Sequence, residues 1–171
     1  MRTLCLLRHA KSSWEDPSLD DHDRPLAERG RDAAPRIGAW LRERQIRPDL
    51  VLLSSAARTR ETWTLTAPSL ASSAPTETRA DLYLAEPAQL LRVVQETRDA
   101  VSTLLLIGHN PGLDRFADSL VSDGKEKPRR RMRRKFPTAA LALITFRVDA
   151  WPEVAPGSGT LEAFVRPKDL T

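Results

Sequence analysis

The sequence contains a single cysteine, Cys5, in 171 residues. One thiol excludes an intrachain disulfide framework, and its place inside an apolar run makes it a small buried hydrophobe. No apolar run approaches the roughly 20 residues that cross a bilayer as a helix. Met1 passes directly into a strand-like segment, without the charged and apolar regions of a cleavable leader. These absences point to a cytoplasmic location and to no membrane partner. Neither an internal repeat nor a linker interrupts the chain. Residues 1–171 therefore read as a single domain, long enough to bury one well-formed core.

What is present is ordinary in bulk and uneven in detail. Charged residues make up 29% and apolar ones 40%, as in soluble globular proteins. The segment from Lys125 to Lys135 holds eight basic residues and one acid, a net +7 in a chain whose total is +4, so the remainder is net −3. The high isoelectric point thus describes one segment, which reads as a loop by composition. Such a run can contact nucleic-acid phosphates. Only Phe136 adjoins it, however, so stacking on bases lacks support. The commoner explanation of a charge run is a solvated surface.

The chain opens on Leu4-Cys5-Leu6-Leu7, apolar on both faces and too short for a helix: a buried strand. It delivers Arg8 and His9 side by side at the strand's end, where ligands bind in open α/β sheets. There a guanidinium can hold a phosphoryl group while an imidazole attacks it. An acidic loop follows, in which His22 reads as solvated. Ala27 to Arg44 is an amphipathic helix in which Pro35 predicts a kink or a restart. A second buried strand, Leu50 to Leu53, ends in Ser54-Ser55-Ala56-Ala57-Arg58. The serines can cap a helix from Ala56 to Pro68. Arg58 then falls in its first turn, against the helix dipole, a conflict typical of an anion site.

Thr76 to Arg79 reads as a short strand, and Asp81 to Glu86 as a loop. Pro87 to Thr97 reads as a helix. Thr103 to Ile107 is a third strong strand, running into Gly108-His109-Asn110-Pro111-Gly112 and an amphipathic helix. Thr138 to Val148 and Leu161 to Val165 form a hairpin across a Pro/Gly turn. The pattern predicts an α/β three-layer sandwich, with a mainly parallel central sheet flanked by helices and a C-terminal antiparallel hairpin. If the three strands are neighbours, Arg8, His9, Arg58 and His109 converge at one edge.

Leu7-Arg8-His9-Ala10-Lys11-Ser12, then Ser54-x-x-x-Arg58-x-x-x-Thr62, then Gly108-His109 resemble the histidine phosphatase (phosphoglycerate-mutase-like) superfamily. The small size and Asn110-Pro111-Gly112 are similar to its SixA-type phosphohistidine phosphatase branch. The resemblance implies that His9 is the nucleophile and forms a phosphohistidine, with Arg8, Arg58 and His109 around the phosphoryl group. It also implies no cofactor and no metal, the arginines supplying the positive charge. His9 must be neutral to attack, whereas His109 serves better protonated, so the two imidazoles need different environments. Ala10 stands where the family often has Gly, and Ser55 where it often has Pro. Mutase-like members use a mid-chain Glu as general acid. Glu86 lies in that region, either as this acid or as charge before the helix that starts at Pro87. An imidazole leaving group needs less acid assistance than an alkoxide. The implied substrate is phosphohistidine on a signalling protein; the alternative is a small phosphomonoester. Oligomeric state is not legible.

Overall fold

The computed structural model describes residues 1–170. The strands are β1 (Arg2–Arg8), β2 (Leu50–Ser54), β3 (Thr76–Arg79), β4 (Thr103–Gly108), β5 (Val121–Gly124), β6 (Leu141–Phe146) and β7 (Gly159–Val165). The helices are α1 (Glu28–Glu43), α2 (Ala57–Leu70), α3 (Pro87–Gln95), α4 (Gly112–Leu120) and α5 (Glu126–Arg134). All seven strands join one sheet in the order β3-β2-β4-β1-β6-β7-β5. β3, β2, β4 and β1 are mutually parallel, β6 is antiparallel to β1 and to β7, and β5 runs parallel to β7. The mainly parallel sheet and the C-terminal hairpin are therefore as the pattern requires.

The strand side chains alternate between two cores. Leu4, Leu6, Leu104 and Leu106 pack with Leu90, Val94, Leu113 and Phe116 of α3 and α4. Cys5, Leu7, Leu105 and Ile107 pack on the opposite face with Ala34, Ile37, Leu41 and Trp63 of α1 and α2. Helices thus cover both faces, which makes three layers. Burial pushes the Cys5 thiol up to about 12, so it stays a neutral hydrophobe at physiological pH.

Local details differ from the sequence reading. α1 neither restarts nor ends at Pro35, which lies inside one helix from Glu28 to Glu43. An interior proline costs about 3 kcal/mol. Burial of Ala33, Ala34, Ile37, Trp40 and Leu41 offsets it, at roughly 1.5–3 kcal/mol for each large apolar side chain. α2 passes through Pro68 and ends at Leu70, with Ala71 left-handed at φ 56° as its C-cap. Its N-cap is Ala56 without a side-chain bond, so the serines do not cap it. β5 is short, polar and at the sheet edge, without apolar alternation to announce it.

The basic segment is the largest correction, because it is a helix. Met132 is the only buried residue of α5, so no apolar period reveals it. Arg, Lys, Glu and Met all favour helix. Glu126 stands in its first turn and Arg131, Arg133 and Arg134 in its last, which complements the dipole. Arg131 pairs with Asp169 at 2.7 Å and Arg133 with Asp118 at 2.8 Å, so part of the run is neutralised within the chain.

Candidate functional site

β4 lies between β1 and β2, with Arg8 opposite Gly108 and Leu53 opposite Ile107. The carboxyl ends of three parallel strands are therefore side by side. β1 ends in Arg8 and His9, β2 in Ser54 and the turn to Arg58, and β4 in Gly108 and His109. The structure brings these four predicted residues together. His9, Arg58 and His109 are each less than a tenth exposed, and the two imidazole centroids lie 5.3 Å apart.

His9 is held by backbone on one side. Its Nδ1 lies 2.7 Å from the Ala10 carbonyl oxygen. A carbonyl only accepts, so in the neutral ring Nδ1 carries the hydrogen and Nε2 keeps its lone pair. Burial pushes the His9 pKa down to about 4, and the Arg58, Arg8 and Arg24 charges add to the effect. His9 is thus neutral at physiological pH. Ala10 is not among the residues with positive φ. Its N–H donates to Thr62 Oγ1 at 2.9 Å, and the Thr62 hydroxyl donates to the Arg58 carbonyl at 2.6 Å. One threonine on α2 therefore ties the segment after His9 to the turn that carries Arg58.

His109 does not follow the expectation of a protonated partner. Burial, followed by His9 and Arg58, lowers its pKa to about 3. The two imidazoles share one buried, positively charged surrounding, so both are pushed towards neutrality. The Ser54 hydroxyl hydrogen-bonds His109 Nε2 at 2.7 Å. His109 Nδ1 is buried with no partner among the described residues.

Arg8 donates through Nη1 to the Phe136 carbonyl at 3.1 Å, and Asn110 Nδ2 donates to the same oxygen at 2.9 Å. Phe136 is fully buried and lies two residues beyond the end of α5, after Lys135. The chain leaving the basic helix therefore leads back to the site, where its Phe136 carbonyl meets Arg8.

Arg58 is engaged by a residue the sequence did not single out. Its Nη1 donates to the Asp21 carbonyl at 2.7 Å, and its Nη2 pairs with Asp21 Oδ2 at 3.0 Å. Asp21 also pairs with Arg24 Nη1 at 2.8 Å and accepts from the Tyr83 hydroxyl. The Tyr83 hydroxyl, Arg58 and Arg24 together hold the Asp21 carboxyl down to about 2. Arg24 is itself buried, stacks 3.3 Å over Trp14 and donates to Ser12 Oγ. His22 is not simply solvated: it bonds Ser55 Oγ at 2.8 Å and meets Tyr83 edge-on. Asp21, Arg24 and Tyr83 were missed because nothing in the acidic loop says where it folds. The lone tyrosine beside Glu86 and the Asp21-x-x-Arg24 spacing were the available signals. Glu86 is exposed at the N-cap of α3 and makes no side-chain cap bond. Three residues earlier in the chain, Tyr83 packs edge-on to His109 at 5.4 Å. Among the described residues no group of three His, Cys, Asp or Glu side chains could hold a metal ion.

Comparison with known proteins gives the family and the fold. Residues 4–83 match the histidine phosphatase superfamily (branch 1). The uncharacterized protein Rv1276c of Mycobacterium tuberculosis is 36% identical over 164 residues, covering 95% of this chain and all of that one. Among solved structures, the "Putative Phosphohistidine Phosphatase SixA" of Nakamurella multipartitia superposes with a TM-score of 0.84 at 31% identity, over 97% of this chain and 96% of that one. The protein histidine phosphatase SixA complexed with tungstate shares the fold, with a TM-score of 0.79 at 22% identity over 98% of each chain. The chain belongs to the histidine phosphatase superfamily, in its SixA-type branch.

Proposed function

We propose that this protein is a phosphatase that removes the phosphoryl group from phosphohistidine on another protein, with His9 as nucleophile. The observation that carries the reading is the neutral His9 imidazole, with Nδ1–H on the Ala10 carbonyl and Nε2 free to attack. Arg8, Arg58 and His109 stand around it as the donors that a transferring phosphoryl group needs. Asp21 holds Arg58 in place and yields its share of the guanidinium to a phosphoryl oxygen.

In the first step His9 Nε2 forms a bond to phosphorus as the P–N bond to the substrate imidazole breaks. The leaving nitrogen keeps the electron pair and takes up a proton. Water then attacks phosphorus, the bond to Nε2 breaks, and inorganic phosphate leaves. A bound phosphoryl anion raises the pKa of His109, so the imidazole that is neutral in the free protein becomes a donor in the complex. Glu86, exposed at the N-cap of α3, is the second candidate for the proton source.

A protein substrate is favoured by the modest covering of the site. The segment from Ser12 to Leu26 returns on itself through a bridge between those two residues; Trp14 within it, and Leu84 next to Tyr83, are more than half exposed. A phosphohistidine carried on another protein can approach such a rim. Rapid quenching into alkaline detergent, which preserves a P–N bond, followed by an acid-lability check, tests the reading. Wild type mixed with phosphohistidine protein should give an acid-labile phosphoenzyme that is absent in His9→Ala. Label retained in His9→Ala would refute the nucleophile. Turnover of small phosphomonoesters alone would refute the substrate class.

A further inference from the structure

We infer that a cationic cleft beside the catalytic residues is a docking site for an acidic segment of the substrate protein. The inference rests on the protein-phosphatase reading above and adds to it a second point of recognition. The cleft has a volume of about 420 Å³ and is rimmed by Lys11, Arg29, Arg36, Lys135, Arg166 and Lys168. No carboxylate lines it. Of these six, only Arg166 has an ion pair among the described residues, with Asp169 at 2.8 Å. The cleft therefore concentrates unneutralised positive charge, whereas the arginines of α5 are partly paired.

Topology places the cleft next to the chemistry. Lys11 follows His9 by two residues. Lys135 and Pro137 flank Phe136, whose carbonyl accepts from Arg8. β7 runs parallel to β1 through two antiparallel pairings, so Arg166 and Lys168 leave the sheet at the same edge as His9. α1 supplies the outer wall, and Arg29 and Arg36 stand about 10 Å apart along it at roughly 1.5 Å per residue. That length suits about three residues of extended peptide.

The character of the rim selects the occupant. Arg29, Arg36, Lys135 and Lys168 are exposed and come from three separate parts of the chain. Buried arginine forks grip phosphate, whereas four of these six cations are exposed. Spread, solvated cations over a floor containing Ala33 and Pro137 suit a carboxylate-rich protein strand, which they attract and orient.

The test uses the full chain carrying Arg29→Glu, Arg36→Glu and Lys168→Glu together. A control carries Arg129→Glu and Arg130→Glu on α5. Circular dichroism and melting first establish that both variants fold. If reversal at the cleft unfolds the chain, the same three positions changed to Gln replace it. For a phosphohistidine protein, kcat/KM of the cleft variant should fall about tenfold at low salt, and the loss should shrink to within about threefold near 0.5 M salt as screening sets in. Turnover of a small phosphoramidate should be unchanged, and the control should lose much less. Direct binding of a decaglutamate peptide, measured by fluorescence anisotropy, should weaken about tenfold in the cleft variant.

The peptide measurement needs no turnover, so it separates failure of the docking site from failure of the phosphatase reading. Decaglutamate bound equally by wild type and variant, or by neither, overturns the inference. So does cleft-dependent binding of a DNA duplex or of inorganic tripolyphosphate in place of the peptide. An equal loss with protein and small substrates also overturns it, since the cleft would then be supporting the catalytic residues.

Discussion

Asp21 and Arg58 are joined twice, through the Asp21 carbonyl at 2.7 Å and its carboxylate at 3.0 Å. The Arg58 guanidinium, proposed above to hold a phosphoryl oxygen, is thus already bound to an anion supplied by the chain. This carboxylate orients Arg58 and also competes with any incoming phosphoryl group. Asp21→Asn should separate the two effects. Product phosphate should inhibit about tenfold more tightly, because one negative charge beside an anion site has gone. The kcat should fall severalfold as Arg58 loses its orientation. Steady-state inhibition by phosphate reads both, and unchanged inhibition would show that Asp21 does not compete.

Arg58→Ala should lower kcat/KM by about 2–4 kcal/mol, the scale of one lost electrostatic stabiliser of a transition state. Arg60 is the control on the same helix. It is exposed and donates only to the Ser55 carbonyl at 3.1 Å, so Arg60→Ala should retain nearly full activity. Equal losses in the two variants would remove Arg58 from the site.

The pH dependence follows from the direction of the histidine shifts. The His9 pKa lies near 4 rather than the usual 6.5. The acid limb of kcat/KM, which reports the free enzyme, should therefore fall well below pH 6. Arg24→Gln removes one like charge and should move that limb upwards. An acid limb at the ordinary histidine value in wild type would mean that His9 is not the group being titrated.

Stability should move in the same pH window. His9 and His109 bind protons less readily folded than unfolded. Their contribution is fully present above about pH 6.5 and is lost as pH falls from there towards the folded values near 4 and 3, because the unfolded chain takes up the extra protons. Tm should decline across that interval, and less steeply in His109→Gln. Differential scanning calorimetry from pH 7 to pH 4 makes the comparison. Parallel slopes in the two proteins would contradict the shift at His109.

Gly112 begins α4, and a β-carbon there would overlap the carbonyl oxygen of Ala85. Backbone is on both sides of that contact, so neither partner can turn away. Gly112→Ala should displace the 83–86 segment, lower stability by about 2–4 kcal/mol and reduce kcat as Tyr83 shifts from His109. Urea unfolding alongside turnover checks both, and an alanine variant of wild-type stability would disprove the close approach.

Much of the fold was legible because the three central strands are apolar on both faces and each ends abruptly in polar residues. Arg8, His9, Arg58 and His109 could be picked out because each lies at or just beyond one of those ends. α5 was not legible, since one buried methionine gives no period, and β5 is too short and polar to announce itself. The continuity of α1 through Pro35 was decided by the core beneath it and not by local propensity.

The sequence by itself determined the central strands and the helices between them, the mainly parallel sheet, and the four residues at or just beyond strand ends, because these follow from short-range patterning. Only the tertiary structure decided which carboxylate meets Arg58, that both imidazoles are held neutral, and that Lys11, Arg29, Arg36, Lys135, Arg166 and Lys168 line one cleft. Those relations join residues as much as 157 positions apart in the numbering. They depend on how strands and loops pack around a shared edge, and no local pattern encodes that.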